Sequence, residues 1–163
     1  MDNTDDGLRA GDRITAAFLK LLEDKPLEEI SVSEIAAAAG VSRVSFYRSF
    51  ERKEDIPRAR MDALIGRWRA GLPDGSDGET LSSLLEHLRA NREFYMLLSR
   101  RGLSYLLRDV LVGLFGPKRD SSASGAYTAA FIAFGLYGLI EEWFARGMAE
   151  SPEEIAELFS AGR

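Results

Sequence analysis

The chain lacks several residue types on which many functional sites depend. It has no cysteine and a single histidine among its 163 residues. The lack of cysteine excludes disulfide bonds and thiolate metal sites, and one histidine cannot form a metal site without partners. The sequence also has no phosphate-binding glycine loop and no nucleophile beside a base. We therefore expect no metal and no cofactor, and we expect that the protein is not an enzyme.

Targeting and membrane-spanning patterns are lacking as well. The first six residues, MDNTDD, are acidic and polar, whereas a signal peptide begins with basic residues and an apolar stretch. The longest apolar stretch, residues 127–140, is shorter than the roughly 20 residues that a helix needs to cross a bilayer. It also runs directly into two glutamates. We expect a cytoplasmic protein with no membrane partner.

Positive charge is concentrated in one segment, although the whole chain has a net charge of −5. Residues 43–60 hold six basic and three acidic residues, so their net charge is +3 and the remainder carries −8. Screening confines the attraction between exposed charges to about 8 Å at physiological salt. The basic segment can therefore bind phosphates in spite of the acidic remainder.

Residues 31–50, SVSEIAAAAGVSRVSFYRSF, have the pattern of two short helices joined by a tight turn. Ser31 and Glu34 have the spacing of a capping box at the start of the first helix. Gly40 suits the left-handed conformation that ends a helix, and Ser42 can cap the second helix. This is the helix-turn-helix arrangement, whose second helix enters a major groove of DNA. The spacing alone also occurs in ordinary helical cores.

Residues 30–56, ISVSEIAAAAGVSRVSFYRSFERKEDI, closely resemble the DNA-binding segment of TetR/AcrR-family transcriptional regulators. The shared features are the AGVS turn, the Phe46-Tyr47 pair, Phe50 three residues later, and the KED at residues 53–55 that opens the next helix. With the amphipathic helix predicted over residues 13–23, the resemblance covers about the first seventy residues. It implies an all-α fold of about nine helices, in which a three-helix DNA-binding domain is joined by a long helix to a C-terminal dimerisation and effector-binding domain.

The sequence predicts four segments along this fold. Residues 1–52 form the DNA-binding domain, residues 53–70 the connecting helix, residues 71–78 a glycine-rich linker, and residues 79–163 the C-terminal domain. Proline at position 57 departs from the usual sequence pattern of the family. We expect it to remove one hydrogen bond and to kink the connecting helix near its start. Apolar residues at helical spacing predict the remaining helices over residues 81–88, 93–99, 103–114 and 125–146. Gly147 can end the last of these, and Ser151 and Glu154 have the spacing of a capping box at the start of a final helix.

The resemblance places the DNA contacts in and around the second helix of the motif. Arg43, Val44 and Ser45 lie where family members meet base edges, and Tyr47 and Lys53 lie where they touch phosphates. Arginine can bind guanine through two hydrogen bonds, and tyrosine and lysine are good phosphate partners. The complete predicted set is Ser31, Ser42, Arg43, Val44, Ser45, Tyr47, Arg48 and Lys53. We expect Phe46 and Phe50 to pack in the core instead.

The helix predicted over residues 125–146 is apolar on nearly every face and must therefore be covered on all sides. A small domain cannot easily supply that cover, so we expect a second copy of the chain to do so. Residues 135–159 also resemble the C-terminal helices that form the homodimer bundle in one branch of the family. The predicted interface residues are Gly135, Tyr137, Gly138, Ile140, Phe144, Ile155 and Phe159.

Aromatic residues beyond the motif are candidates for the wall of an effector pocket. The set is Trp68, His87, Tyr95, Tyr105 and Phe131, with His87 or a tyrosine hydroxyl as the polar anchor. The small number of charges in these segments favours a small, largely apolar effector. The alternative is that the aromatic residues are ordinary core and that His87 is a surface or partly buried residue.

Three classes of function follow from these patterns. The first is a ligand-responsive transcriptional regulator, expected to be a repressor that binds a palindromic operator as a homodimer. The second is a helical coactivator or interaction protein that kept the fold but lost DNA binding, and the third is a small-molecule carrier. Adjacent glutamates such as Glu141 and Glu142 point about 100° apart on a helix, which disfavours a catalytic pair. We expect the first class, because a protein that abandoned DNA has no need of Arg43, Ser45, Tyr47 and Lys53 together.

Overall fold

The structure, a computed structural model, describes residues 3–72 and 80–160, and every element in these ranges is helical. The chain divides into two compact units, Met1–Leu64 and Ile65–Arg163. The described helices are α1 (Asn3–Asp24), α2 (Val32–Ala38), α3 (Arg43–Ser49), α4 (Asp55–Ala70), α5 (Thr80–Ala90), α6 (Arg92–Arg100), α7 (Tyr105–Phe115), α8 (Ala123–Ala145) and α9 (Pro152–Ser160), with a 3₁₀ turn over Leu27–Glu29. The all-α fold class is confirmed.

The core of the first unit lies where α1 packs against both α2 and α3. Ile14, Phe18 and Leu22 follow one face of α1 at helical spacing, and all three are completely buried. Ile35 of α2 and Phe46 of α3 are completely buried as well. Fully burying an apolar side chain of this size stabilises a fold by about 1.5–3 kcal/mol, so these residues fix the helix-turn-helix on α1.

The turn between α2 and α3 is closed by Gly40, which has a φ of 63°. The amide of Gly40 donates to the carbonyl of Ala37 at 3.1 Å, and the amide of Val41 donates to the carbonyl of Ala36 at 2.9 Å. These two hydrogen bonds form a Schellman motif, in which a left-handed residue ends a helix. Gly147, with a φ of 69°, ends α8 in the same way, so both predicted helix ends are confirmed.

The connecting helix α4 begins at Asp55, two residues later than expected. Pro57 is therefore its third residue, and the first four amides of a helix have no partner within the helix. The expectation that Pro57 removes a helical hydrogen bond is wrong, because its position has none to lose. The division between the two units falls between Leu64 and Ile65, inside α4 and within the predicted connecting segment of residues 53–70. The predicted linker, residues 71–78, lies almost entirely outside the described residues.

The core of the second unit is built from the helices that follow. Buried leucines of α5 and five consecutive buried residues of α6, Phe94–Leu98, occupy its centre. α7 packs along α8, and α5 packs against α9. At the start of α9, the amide of Ser151 donates to a carboxylate oxygen of Glu154 at 2.7 Å, and the amide of Glu154 donates to the Ser151 hydroxyl at 3.2 Å. This capping box confirms the predicted start of the last helix.

The helix α8 runs for 23 residues, which is longer than the apolar stretch suggests. By length and composition alone the whole helix could cross a membrane, although the apolar stretch of residues 127–140 within it is shorter than a span. Its inward face holds Ala133, Ile140, Trp143 and Phe144, all buried within the second unit. Glu141 of the same helix accepts a hydrogen bond from the Ser104 hydroxyl at 3.0 Å. These contacts are those of a helix that packs in a helical bundle.

Candidate nucleic-acid and subunit interfaces

The helix α3 has one buried and one exposed face. Phe46 points into the core and is fully buried, whereas Val44 is 63% exposed and Tyr47 is 52% exposed. Arg43 and Arg48 are also exposed. Residues three or four positions apart share a face of a helix, so Arg43, Val44, Tyr47 and Arg48 form one continuous outward surface. Four of the five DNA contacts predicted on α3 are therefore exposed to solvent, and the fifth, Ser45, is half-buried.

Ser42 and Ser45 hold the leading end of α3. The Ser42 hydroxyl accepts a hydrogen bond from the amide of Ser45 at 3.1 Å, and the two hydroxyls lie 3.0 Å apart. Ser42 is therefore the helix cap, and the half-buried Ser45 has its hydroxyl engaged locally. This cap fixes the N-terminal turn of α3, which is the part of a recognition helix that approaches base edges.

Ser31 caps α2 through the predicted capping box. The amide of Ser31 donates to Glu34 at 2.9 Å, and the amide of Glu34 donates to the Ser31 hydroxyl at 3.2 Å. Lys25 forms an ion pair with the other carboxylate oxygen of Glu34. The hydrogen bond from Lys25, followed by those from the amide and hydroxyl of Ser31, lowers the pKa of Glu34 from 4.5 to about 2. Glu34 is thus ionised throughout the neutral range.

An open hollow of about 340 Å³ lies in the first unit, beside the exposed face of α3. It is lined by the start of α2, the second half of α3 and the segment that precedes α4. Its lining residues are Ile30, Ser31, Val32, Tyr47, Glu51, Arg52, Lys53 and Glu54. Three predicted DNA-binding residues, Ser31, Tyr47 and Lys53, are therefore brought together at one place.

Lys53 has an arrangement that the sequence did not indicate. Its ammonium group donates to the carbonyl oxygens of Leu27 at 2.7 Å, Glu28 at 3.3 Å and Ile30 at 2.7 Å. An ammonium group has three N–H donors, and these three carbonyls engage all of them. This geometry does not support the predicted phosphate contact of Lys53.

The outward face of α8 is apolar and aromatic. Tyr127 is 78% exposed, Phe131 80% and Phe134 56%, and they follow one another at spacings of four and three residues. Gly135 and Gly138 continue this stripe, with open space where a side chain would begin. We call Tyr127, Phe131, Phe134, Gly135 and Gly138 the α8 stripe. Ile132 of α8 and Leu158 of α9 are also exposed, at 46% and 69%.

The predicted dimer residues divide into two groups. Ile140, Phe144 and Ile155 are 0%, 3% and 8% exposed, so their assignment to an intersubunit surface is wrong: they are core residues of their own chain. Gly135 and Gly138 are exposed as expected, and Tyr137 is half-buried. The side chain of Phe159 lies outside the described residues. Sequence reasoning missed Tyr127, Ile132, Phe134 and Leu158 as exposed apolar residues.

Three of the five predicted pocket residues lie together, and the other two do not belong to that cluster. Trp68, His87 and Tyr95 form one cluster, with ring centroids 6.0 Å apart for Trp68 and His87 and 5.8 Å apart for His87 and Tyr95. Phe131 is a solvent-exposed residue of the α8 stripe, so its placement in an internal pocket is wrong. Tyr105 is 37% exposed.

The polar ring atoms of this cluster have hydrogen-bond partners within it or on the neighbouring Ser83. The Nε2 atom of His87 lies 2.9 Å from the Tyr95 hydroxyl, and the indole N–H of Trp68 donates to the Ser83 hydroxyl at 2.9 Å. Burial, and then the positive charge of Arg67, lowers the pKa of His87 from its ordinary value of 6.5. His87 is therefore a neutral, hydrogen-bonded member of the cluster at pH 7. Within the described ranges there is no group of three His, Asp or Glu that could hold a metal ion.

Comparison with known families adds two matches that together span most of the chain. Residues 14–59 match the family described as bacterial regulatory proteins, tetR family. Residues 78–161 match a family described as the transcriptional regulator C-terminal region, which covers more than half of the chain. The first match contains α2, α3 and the start of α4, and the second contains the α8 stripe.

Curated relatives are regulators of the helix-turn-helix type. The regulator EthR of Mycobacterium tuberculosis strain H37Rv is 41% identical over 54 residues, which are 33% of this chain and 25% of that protein. EthR of Mycolicibacterium smegmatis is 42% identical over 66 residues, 38% of this chain and 30% of that protein. The regulator YxbF of Bacillus subtilis strain 168 is 27% identical over 168 aligned positions, 89% of this chain and 42% of that protein. The chain thus spans less than half the length of these relatives.

A solved structure shares the fold over nearly the whole chain. The dihydroxyacetone kinase operon activator DhaS superposes with a TM-score of 0.54 at 20% identity, covering 94% of this chain and 95% of that one. At this identity the similarity concerns the fold alone. The two family matches and the helical architecture lead to one conclusion: the chain belongs to the TetR family of bacterial transcriptional regulators.

Proposed function

We propose that the protein is a cytoplasmic transcriptional repressor that binds a roughly palindromic operator as a homodimer and responds to a small apolar effector. The observation that carries the proposal is the outward surface of α3. Four residues of a seven-residue helix, Arg43, Val44, Tyr47 and Arg48, face solvent, while Phe46 anchors the helix in the core. A helical coactivator without DNA binding remains the alternative function.

The outward surface of α3 has the chemistry for reading a major groove. Arg43 in the first turn can donate two hydrogen bonds to the O6 and N7 atoms of a guanine, and the Val44 methyl groups can contact the methyl group of a thymine. We expect Tyr47 and Arg48, one turn later, to contact backbone phosphates together with Ser31 at the start of α2. These contacts would give the base preference to Arg43 and Val44 and the general affinity to the others.

The α8 stripe supports the proposed homodimer. Aromatic side chains bury about 150–250 Å² each, so three from each of two copies would bury on the order of 1,000 Å², which approaches the area of a stable interface. Gly135 and Gly138 leave space into which aromatic rings of the second copy can pack. A two-fold interface uses the same surface on both subunits, so we expect an operator with two symmetry-related half-sites, about one DNA turn or 34 Å apart.

Effector control is proposed for the cluster of Trp68, His87 and Tyr95. An apolar ligand that entered there would have to separate these rings and replace the hydrogen bond between His87 and Tyr95. Because Trp68 belongs to α4 and the other two residues belong to α5 and α6, such a ligand would act at the C-terminal end of α4. Coupling energies of this kind are typically about 1–3 kcal/mol.

The test of the proposed function is a substitution on the outward surface of α3. A DNA duplex is first selected from random sequences by the wild-type protein. Arg43→Ala is expected to weaken binding to that duplex by about 1–3 kcal/mol, roughly 5- to 150-fold, and to relax the preference at one base pair per half-site. Mobility shifts at several salt concentrations measure both effects.

The matched control is Arg119→Ala, which removes the same charge from an exposed loop residue between α7 and α8. It is expected to leave affinity and base preference unchanged. If the wild-type protein selects no DNA sequence, the coactivator function is favoured. If Arg43→Ala binds with unchanged affinity and preference, α3 is not the reading helix.

A further inference from the structure

We propose that Lys53 is a positioning residue for DNA recognition, and that it acts by fixing the start of α2 relative to α3 without itself contacting a phosphate. The inference rests on the proposed DNA-binding function. It assigns Lys53 a role that differs from the one its place in the sequence predicts. The group that Lys53 positions is the capped N-terminus of α2 with Ser31.

The geometry around the Lys53 ammonium group is that of a carbonyl cradle. The three acceptor carbonyls belong to Leu27, Glu28 and Ile30, the 3₁₀ turn and the residue that follows it, and the donor–acceptor distances are 2.7, 3.3 and 2.7 Å. Hydrogen bonds from a charged donor are stronger than neutral ones. The Lys53 side chain is also half-buried, which reduces the competition from water.

These hydrogen bonds link the two ends of the helix-turn-helix. Ile30 immediately precedes the α2 cap Ser31, and Lys53 lies four residues beyond the end of α3. The link from Lys53 to Ile30 therefore closes a loop that contains all of α2, the Gly40 turn and all of α3. Since Ser31 and Tyr47 line the same hollow as Lys53, the link also sets the distance between these two predicted phosphate contacts.

The surroundings of Lys53 favour this role over a phosphate contact. Glu51 and Glu54 line the same hollow as Lys53, and their negative charges would oppose an approaching phosphate. Arg52, the neighbouring cation, is engaged with Asp55 at 3.3 Å. A Lys53 that turned to a phosphate would leave the buried Leu27 and Ile30 with carbonyls that lose their charged donor.

A lysine suits the cradle better than an arginine does. Three carbonyls converge on a single nitrogen, which matches the three N–H bonds of an ammonium group, whereas the guanidinium group of arginine is planar and spreads its donors over a fork. The substitution Lys53→Arg keeps the positive charge but cannot reproduce the convergent geometry. It therefore separates positioning from a simple charge effect.

The experiment measures the salt dependence of DNA binding for the full chain. The probe is the duplex selected by the wild-type protein, at 50–200 mM salt and at a temperature where circular dichroism shows each variant folded. Lys53→Met and Lys53→Arg are both expected to bind roughly tenfold more weakly, with the slope of log K against log salt unchanged, because no phosphate contact is lost. Arg48→Met is the comparison, and its slope is expected to fall by about 0.9 if Arg48 contacts one phosphate.

Amide hydrogen exchange supplies a second readout that does not depend on DNA. Lys53→Met is expected to lose protection at the hydrogen-bonded amides of Ser31, Glu34 and Ile35 at the start of α2, while the amide of Phe46 stays protected. If Lys53→Met lowers the salt slope by about 0.9 and Lys53→Arg binds like the wild type, Lys53 is a phosphate contact and the inference is overturned. Unchanged exchange at the amides of Ser31, Glu34 and Ile35 overturns it as well. A wild-type protein that selects no DNA contradicts the proposed function, and the exchange measurement still decides whether Lys53 holds α2.

Discussion

Two helices of this protein, α3 and α8, turn large side chains toward solvent, and the comparison between them indicates two kinds of partner. The exposed surface of α3 is short and mixed, with two arginines, a tyrosine and one valine. The exposed surface of α8 is long and almost purely apolar, with Tyr127, Phe131 and Phe134 at its centre. A surface rich in donors suits a nucleic acid, whereas exposed aromatic residues in a stripe are typical of a protein interface.

The two helices also differ in how their inward faces are fixed. α3 is anchored by one completely buried side chain, Phe46, and by the Ser42 cap. α8 is anchored by Ile140, Trp143 and Phe144 in its second half, while most residues in its first half are exposed. Exposure alone therefore does not define a site. Whether a substitution affects folding or binding depends on which face of the same helix it changes.

The largest effect on stability is expected from a charge on the buried face of α8. Ile140→Asp places a carboxylate without a partner at a completely buried position, which costs several kcal/mol and should unfold the second unit. Phe131→Asp changes a residue that is 80% exposed, so the chain should stay folded but no longer form the proposed dimer. Thermal unfolding and sedimentation velocity at micromolar concentration distinguish the two results.

The two substitutions are matched controls for each other, because both replace an apolar residue of α8 by the same carboxylate. A Phe131→Asp chain that still sediments as a dimer would remove the α8 stripe from the interface. A wild-type chain that is monomeric at micromolar concentration would contradict the homodimer altogether.

An intermediate effect is expected on the two faces of α3. Phe46→Ala empties a completely buried position and should lower the free energy of unfolding of the first unit by about 3–5 kcal/mol. Val44→Ala, two residues earlier on the exposed face, should change that free energy by less than about 0.5 kcal/mol. Denaturant titration followed by circular dichroism measures both values. Equal losses for the two variants would mean that α3 does not have the two faces described.

The features that the sequence predicted correctly are those with local causes. The capping boxes at Ser31 and Ser151 and the helix ends at Gly40 and Gly147 each depend on residues within six positions of one another. Phe46 was expected to pack in the core, and it is completely buried. Local signals of this kind survive folding because the same few residues supply both partners of each hydrogen bond.

The features that the sequence predicted wrongly depend on the rotation of a helix or on distant partners. α8 is apolar on nearly every side, so its pattern gives no sign of which residues face inward, and Ile140 and Phe131 were assigned to the wrong faces. The cradle around Lys53 joins residues 23 to 26 positions apart, a distance over which spacing carries no information. The hydrogen bond between His87 and Tyr95 joins α5 to α6, so it also depends on partners that lie on different helices.

The smallest effect is expected at the cluster of Trp68, His87 and Tyr95, and it concerns pH. Since His87 is the single histidine, one resonance in a proton NMR titration reports its pKa. That pKa should lie below 6.5, because burial, and then the charge of Arg67, disfavours the imidazolium form. The unfolded chain takes up a proton near pH 6.5 and the folded chain does not. Stability is therefore complete above pH 6.5 and falls as the pH is lowered from there toward the pKa of the folded state.

Two substitutions sharpen this last measurement. Arg67→Gln removes the nearby positive charge and should raise the pKa of His87 part of the way toward 6.5, since burial remains. Arg119→Gln, which removes an equal charge from the exposed loop before α8, should leave the pKa unchanged. A His87 that titrates at or above 6.5 in the wild-type chain would mean that the cluster is open to water. An open cluster would favour the proposed effector site, since the ligand would then not have to break the contact of His87 with Tyr95.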